Sequence, residues 1–169
     1  VVAIRTIGHT SSSSGETIPK RNTHPTLEAD IRRCWRATVL RPVPEVPMRF
    51  VLRAPVREQL RELIAGQAGE ACLGLFAAAE ELKFGHVSGV PMHVFVQKLP
   101  KSDDRRWRSL RPTSPGEIPD LILRQAAFPQ SVFKGAVPRD GWLVSDVIQT
   151  WLDVASHPSR GSEQAELIY

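Results

Sequence analysis

Asp103-Asp-Arg-Arg-Trp-Arg-Ser-Leu-Arg111 is the stretch richest in chemistry. On an extended strand, successive side chains alternate between faces, so Arg106 and Arg108 would share one side and Trp107 the other. A guanidinium fork matches phosphate oxygens and an aromatic ring can stack on a base. Arg105, Arg106, Trp107, Arg108 and Arg111 are therefore candidates for contact with nucleic acid or an acidic partner. A half-buried strand with a polar outer face and Trp107 turned inward would show the same pattern. Arg32, Arg33 and Arg36 form a second basic patch, for which a solvated helix face is the plainer reading.

Other chemistry finds little footing. A metal-dependent nuclease of the proline-aspartate type needs an acidic-x-lysine triplet on the next strand, yet after Pro119-Asp120 the chain offers only Val132-Phe133-Lys134. His86 and His93 stand across an expected turn with no cysteine or second acidic ligand in step. The two cysteines, Cys34 and Cys72, lie far apart without a metal-binding neighbour, and read as buried free thiols in a reducing compartment. There is no Gly-x-Ser-x-Gly elbow and no phosphate-binding Gly-x-x-x-x-Gly-Lys loop. The expectation is a chain without catalytic, metal or cofactor site.

The last quarter reads as two helices joined by a charged corner. Val144, Val147, Ile148, Trp151, Leu152 and Ala155 recur at offsets of three and four, which predicts one buried helical face. Pro158 lacks an amide proton and disfavours helix at His157, so the helix should break there. A second helix is expected to restart at 159–162, with Ser162 as N-cap, Glu163 in its first turn, and Ala165, Leu167 and Ile168 turned inward. Gln149 and Asp153 share a helix face, while Arg160 and Glu163 flank the corner. Folded back on Asp153, these charges would fix the angle between the helices. The alternative is that they form part of a partner-facing or ligand-facing surface.

Ser145-x-x-x-Gln149-x-x-Leu152-Asp153, followed by Arg160-Gly161-x-Glu163-x-Ala165, resembles the C-terminal signature of the AbiEi family of antitoxin and autoregulator proteins from bacterial type IV toxin-antitoxin systems. Upstream, Leu73 to Gly85 resembles that family's small-residue helix, and Pro91 to Gln97 the strand after it. These matches span residues 48–169. The resemblance implies a regulatory domain that neutralises a nucleotidyltransferase-like toxin and assists repression of its own operon. Family members usually begin with a winged-helix DNA-binding domain, and residues 1–47 do not read as one. The chain starts at Val1 without methionine and stops at Tyr169 inside an expected helix, which reads as a piece of a longer polypeptide.

Composition bounds the class. With 169 residues, 41% of them hydrophobic, the chain can bury one core with an arm attached. Its 22 basic and 18 acidic residues leave a net charge of +4, which permits a nucleic-acid partner without demanding one. No apolar run reaches the roughly 18 to 20 residues of a membrane helix and no signal pattern opens the chain, so a cytoplasmic protein is expected.

The elements should be arranged as follows. Residues 1–47 form an arm and linker, serine-rich near its start, with one helix over 27–37 and prolines at 42, 44 and 47. Residues 48–169 form an α+β domain, a mixed sheet of short strands packed with helices and closed by the two-helix corner. Within it, strands are expected at 48–52, 92–99, 105–111, 121–124, 131–133 and 142–144, and helices from Pro55 to Gly66 and Ala71 to Leu82. Small residues Gly74, Ala77 and Ala78 suggest that the latter helix lies on the sheet. A second function class uses the same segments as a stand-alone winged helix. Pro55–Gly66 and Ala71–Leu82 would form a helix-turn-helix and the 92–111 hairpin its wing, although Glu80 and Glu81 suit a major groove poorly.

Overall fold

The computed structural model of the chain describes residue 30, residues 43–85, residues 87–158 and residues 160–168. Apart from Asp30, the helix expected over 27–37 lies outside them, as does His86. The described elements are β1 (Glu45–Phe50), α1 (Val56–Ala65), β2 (Ala71–Gly74), α2 (Leu75–Glu81), β3 (Met92–Val96), a 3-10 turn (Arg105–Trp107), β4 (Leu110–Pro112), β5 (Leu121–Gln125), α3 (Pro129–Gly135), β6 (Val137–Arg139), β7 (Trp142–Val144), α4 (Val147–Ser156) and α5 (Gly161–Ile168).

All seven strands join one mixed sheet in the order β4-β1-β5-β3-β2-β7-β6. The β3/β5 and β2/β7 pairs are parallel and the remaining pairs antiparallel. Register sorts the side chains into two layers, because in-register partners face the same side of a sheet. One row runs Val144, Leu73, Val94, Leu123, Val46. It packs under α1, whose Leu60, Leu63 and Ile64 share its core cluster. The opposite row runs Cys72, Phe95, Arg124, Glu45. Its apolar half meets Val132 of α3, Val154 and Ala155 of α4, and Ala165 of α5 in a second cluster. The fold is thus an α+β domain with a mixed sheet between helices, ending in the two-helix corner.

Several expected elements are corrected. Ala71–Gly74 is not the start of a helix but a central strand buried on both faces. Such a strand carries a continuous apolar run, which periodicity cannot tell from a buried helix. The chain then turns sharply into the short α2, with Leu75 in the left-handed region at φ 47°. A helix-turn-helix across 55–82 is therefore not formed. Nor is the 92–111 hairpin: β3 is flanked by β5 and β2, and β4 pairs with β1. Residues 131–133, expected as strand, belong to α3, which Pro129 opens by supplying a helical φ where no amide donor is needed. Val137–Arg139 adds an edge strand that sequence reading passed over. The first strand begins at Glu45, within the expected linker and three residues before the expected start at Met48, and carries Pro47 within it.

Candidate functional site

The corner holds four of the residues that sequence singled out, Gln149, Asp153, Arg160 and Glu163, and it is anchored by polar side chains. Asp146 caps α4, its Oδ1 accepting from the amides of Ile148 at 2.8 Å and Gln149 at 3.0 Å. This satisfies two of the first-turn donors that a helix leaves open. The fully buried Ser145 and Thr150 hydroxyls lie 3.0 Å apart, and the Ser145 amide donates to Leu73 O in the sheet. The buried face of α4 is Thr150, Leu152, Asp153, Val154 and Ala155. Val147 and Ile148, expected to be buried, are 41% and 67% exposed. Asp146, not Val144, marks the entry to the helix, so the first-turn residues project past the sheet.

At the break, His157 stacks edge-on against Phe76 with ring centroids 4.9 Å apart. Arg160 takes the left-handed region at φ 56° and Gly161 opens α5 one residue before the expected cap, Ser162. Gln164, fully buried, reaches back to the loop after α2. Its Oε1 accepts from the Val87 amide at 3.2 Å and its Nε2 donates to Phe84 O. Leu167, expected to point inward, is exposed.

Gln149 and Asp153 do share a face, and Gln149 Nε2 donates to Asp153 Oδ2 at 2.8 Å. The expected return of Arg160 and Glu163 onto Asp153 is not formed. Both are exposed, and among the described residues no cation stands within ion-pair distance of Asp153. The left-handed turn at Arg160 carries its side chain to solvent. Asp153 instead lines a cavity of about 100 Å³ with Val43, Phe95, Arg124, Ala127, Phe128, Ser131, Val132 and Gln149. Desolvation raises its carboxyl from 3.8 to about 6, against the lowering influence of the Gln149 hydrogen bond and Arg124. Arg124, on β5, is itself engaged. Its Nε lies 3.3 Å from Glu45 Oε2, near enough to pair though angled away from a linear hydrogen bond. Its guanidinium carbon sits 6.0 Å from the Phe95 ring centre. Sequence reading did not single out Arg124 or Phe128. A lone arginine on a strand and a phenylalanine before a proline carry no signal until the register brings them beside α4.

Two titratable groups, Cys72 and His93, are buried on the Phe95 face of the sheet. Burial pushes the Cys72 thiol up to about 12, with Asp153 and Asp146 adding to the effect. Such a thiol is not a thiolate at neutral pH. Burial also takes His93 down to about 4, aided by Arg124 and His157, and its Nδ1 is buried without a hydrogen-bond partner among the described residues.

The basic run is arranged differently from the strand expectation. Asp104 Oδ1 accepts from the Arg106 amide at 3.1 Å, which curls Arg105–Trp107 into a 3-10 turn. Trp107, a candidate for stacking on a base, is instead buried, which is the inward-turned alternative. Arg106 is held by Glu70 at 2.7 Å and Asp104 at 3.0 Å. These contacts raise its pKa and lower that of Asp104. Arg111 is bound at both nitrogens by Glu117, each bond 2.8 Å, and Glu117 is lowered to about 2 as a result. Arg105 and Arg108 are exposed and form no ion pair among the described residues. Arg32, Arg33 and Arg36 lie outside those residues.

Among the described residues, no three or more His, Cys, Asp or Glu side chains are grouped to hold a metal ion, and no helix is long and apolar enough to cross a membrane. No family model, curated protein or solved structure matches the chain.

Proposed function

We propose that the chain is a non-enzymatic regulatory and interaction domain of antitoxin type, which neutralises a nucleotidyltransferase-like toxin in the bacterial cytoplasm and assists repression of its own operon. One observation carries this reading. The Gln149–Asp153 pair at the centre of the AbiEi resemblance is not consumed in bracing the corner, a task done by Ser145, Thr150 and Gln164, and stands instead at a cavity on the molecule's side. A pair kept for recognition has that disposition. The state of Cys72 supports a binding role over nucleophilic catalysis, since a thiol near 12 supplies little thiolate. Contact with operator DNA, on this reading, runs through Arg105 and Arg108.

The test is growth of cells expressing the protein encoded beside this gene, with and without this chain. A toxic neighbour whose effect this chain relieves is the expected result. A neighbour that is harmless, or toxic and unrelieved, removes the antitoxin reading.

A further inference from the structure

We infer that the cavity beside Asp153 is a recognition pocket for a basic side chain, the tip of a lysine or arginine presented by a protein partner. The identity of that partner as the toxin rests on the proposed function, but the chemistry of the pocket does not. Asp153 is only 9% exposed and, among the described residues, has one hydrogen bond, from Gln149 to Oδ2. A desolvated carboxylate without a cation in ion-pair contact is costly, and a cationic group donating to its other oxygen would relieve that cost. Arg124 does not fill the role, because it is within ion-pair distance of Glu45, at 3.3 Å, and not of Asp153. With Arg124 paired to Glu45 beside the cavity, Asp153 is the charge in the lining that has no opposite partner within ion-pair distance among the described residues, which favours a cation over an anion.

Size and lining narrow the occupant. A cavity of about 100 Å³ is well below the ~300 Å³ at which sites for drug-sized ligands begin, yet it admits one side-chain tip. Phe128, 48% exposed, offers a ring that a guanidinium or ammonium can approach, and Ala127 and Val132 suit its methylene stem. Val147 and Ile148 project from the same end of α4 that carries Gln149, giving a partner apolar surface to rest on near the pocket.

The test is nuclear magnetic resonance on the full chain, titrated separately with methylguanidinium chloride, n-butylammonium chloride and neutral n-butanol. The expected result is saturable shifts of the Gln149 side-chain amide and of residues 127–131 with both cations, but not with butanol. Affinity should be in the millimolar range, and Asp153→Asn should weaken it at least tenfold. Equal shifts with butanol, shifts unchanged in Asp153→Asn, or none at all overturn the inference. Should Asp153→Asn not fold, the unmodified chain decides. Saturating methylguanidinium should lower the titration midpoint of the Asp153 carboxyl, which faces Arg124 from β5, Cys72 from β2 and Asp146 at the start of α4; an unmoved midpoint overturns the inference. Binding of the cations together with failure to relieve a toxin would leave the pocket standing and remove only the toxin as its partner.

Discussion

A β-carbon on Gly161 would overlap the carbonyl oxygen of Val154 and press on the His157 side chain, so α5 can follow α4 this closely only from a glycine. The obstructing atom is backbone at the end of α4, and it already accepts from the His157 amide at 3.0 Å. It cannot swing away as a side chain would. Gly161→Ala should therefore cost about 1–3 kcal/mol, the range for inserting a methyl group into packed structure. Urea unfolding checks it: the midpoint should fall with the slope unchanged. An unaltered midpoint would mean that the corner relaxes freely.

Gln164 ties α5 to the loop after α2 through the buried Val87 amide and the part-buried Phe84 carbonyl. Gln164→Ala leaves both without it, and the buried amide so stranded costs about 1–3 kcal/mol. We expect a stability loss of that order and faster hydrogen exchange at the Val87 amide, with the sheet amides of β3 and β5 protected as before.

The arrangement was legible in the sequence where a signal is local. Pro55, Gly66 and Pro158 mark helix limits through backbone chemistry, and Trp142–Val144 and Leu121–Gln125 carry strand residues between turn signals. It was not legible where tertiary context decides. Ala71–Gly74 is a strand because it lies between β3 and β7, and nothing in Ala-Cys-Leu-Gly announces that. Arg105–Trp107 curls because one carboxylate, Asp104, captures the backbone and the guanidinium of Arg106 together. At the candidate site, the spacing of Gln149 and Asp153 was readable as a shared helix face. Their company was not, since Arg124 and Phe95 reach them through strand register alone.

Electrostatic attraction of the 105–111 run for nucleic acid should reside in Arg105 and Arg108, because Arg106 and Arg111 are already matched by carboxylates. Each phosphate contact on duplex DNA contributes roughly −0.9 to the slope of log K against log salt. The Arg105→Ala, Arg108→Ala double variant should flatten that slope by up to about 2 in fluorescence anisotropy with a short duplex. Arg106→Ala should change it far less. A slope equally reduced by Arg106→Ala would show that the Glu70 and Asp104 contacts open on binding.

Asp153 gives the domain a dependence on pH whose direction is fixed by its burial. Its carboxyl titrates near 6 in the folded chain against an ordinary 3.8, so the folded state holds the proton more tightly than the unfolded one. The stability this contributes is fully present below about pH 4 and is lost as pH rises through about 6. At roughly 1.4 kcal/mol per unit, the loss amounts to about 3 kcal/mol by pH 7. His93, lowered to about 4, acts in the opposite sense, favouring unfolding as pH falls from its ordinary 6.5. The two are separated by comparing the chain with Asp153→Asn, which keeps His93 and retains an oxygen for Gln149 but cannot ionise. The difference in unfolding free energy between variant and parent should grow in favour of the variant from pH 4 to pH 7. A flat difference would mean that Asp153 is hydrated through the cavity mouth, and that its charge costs the folded chain nothing.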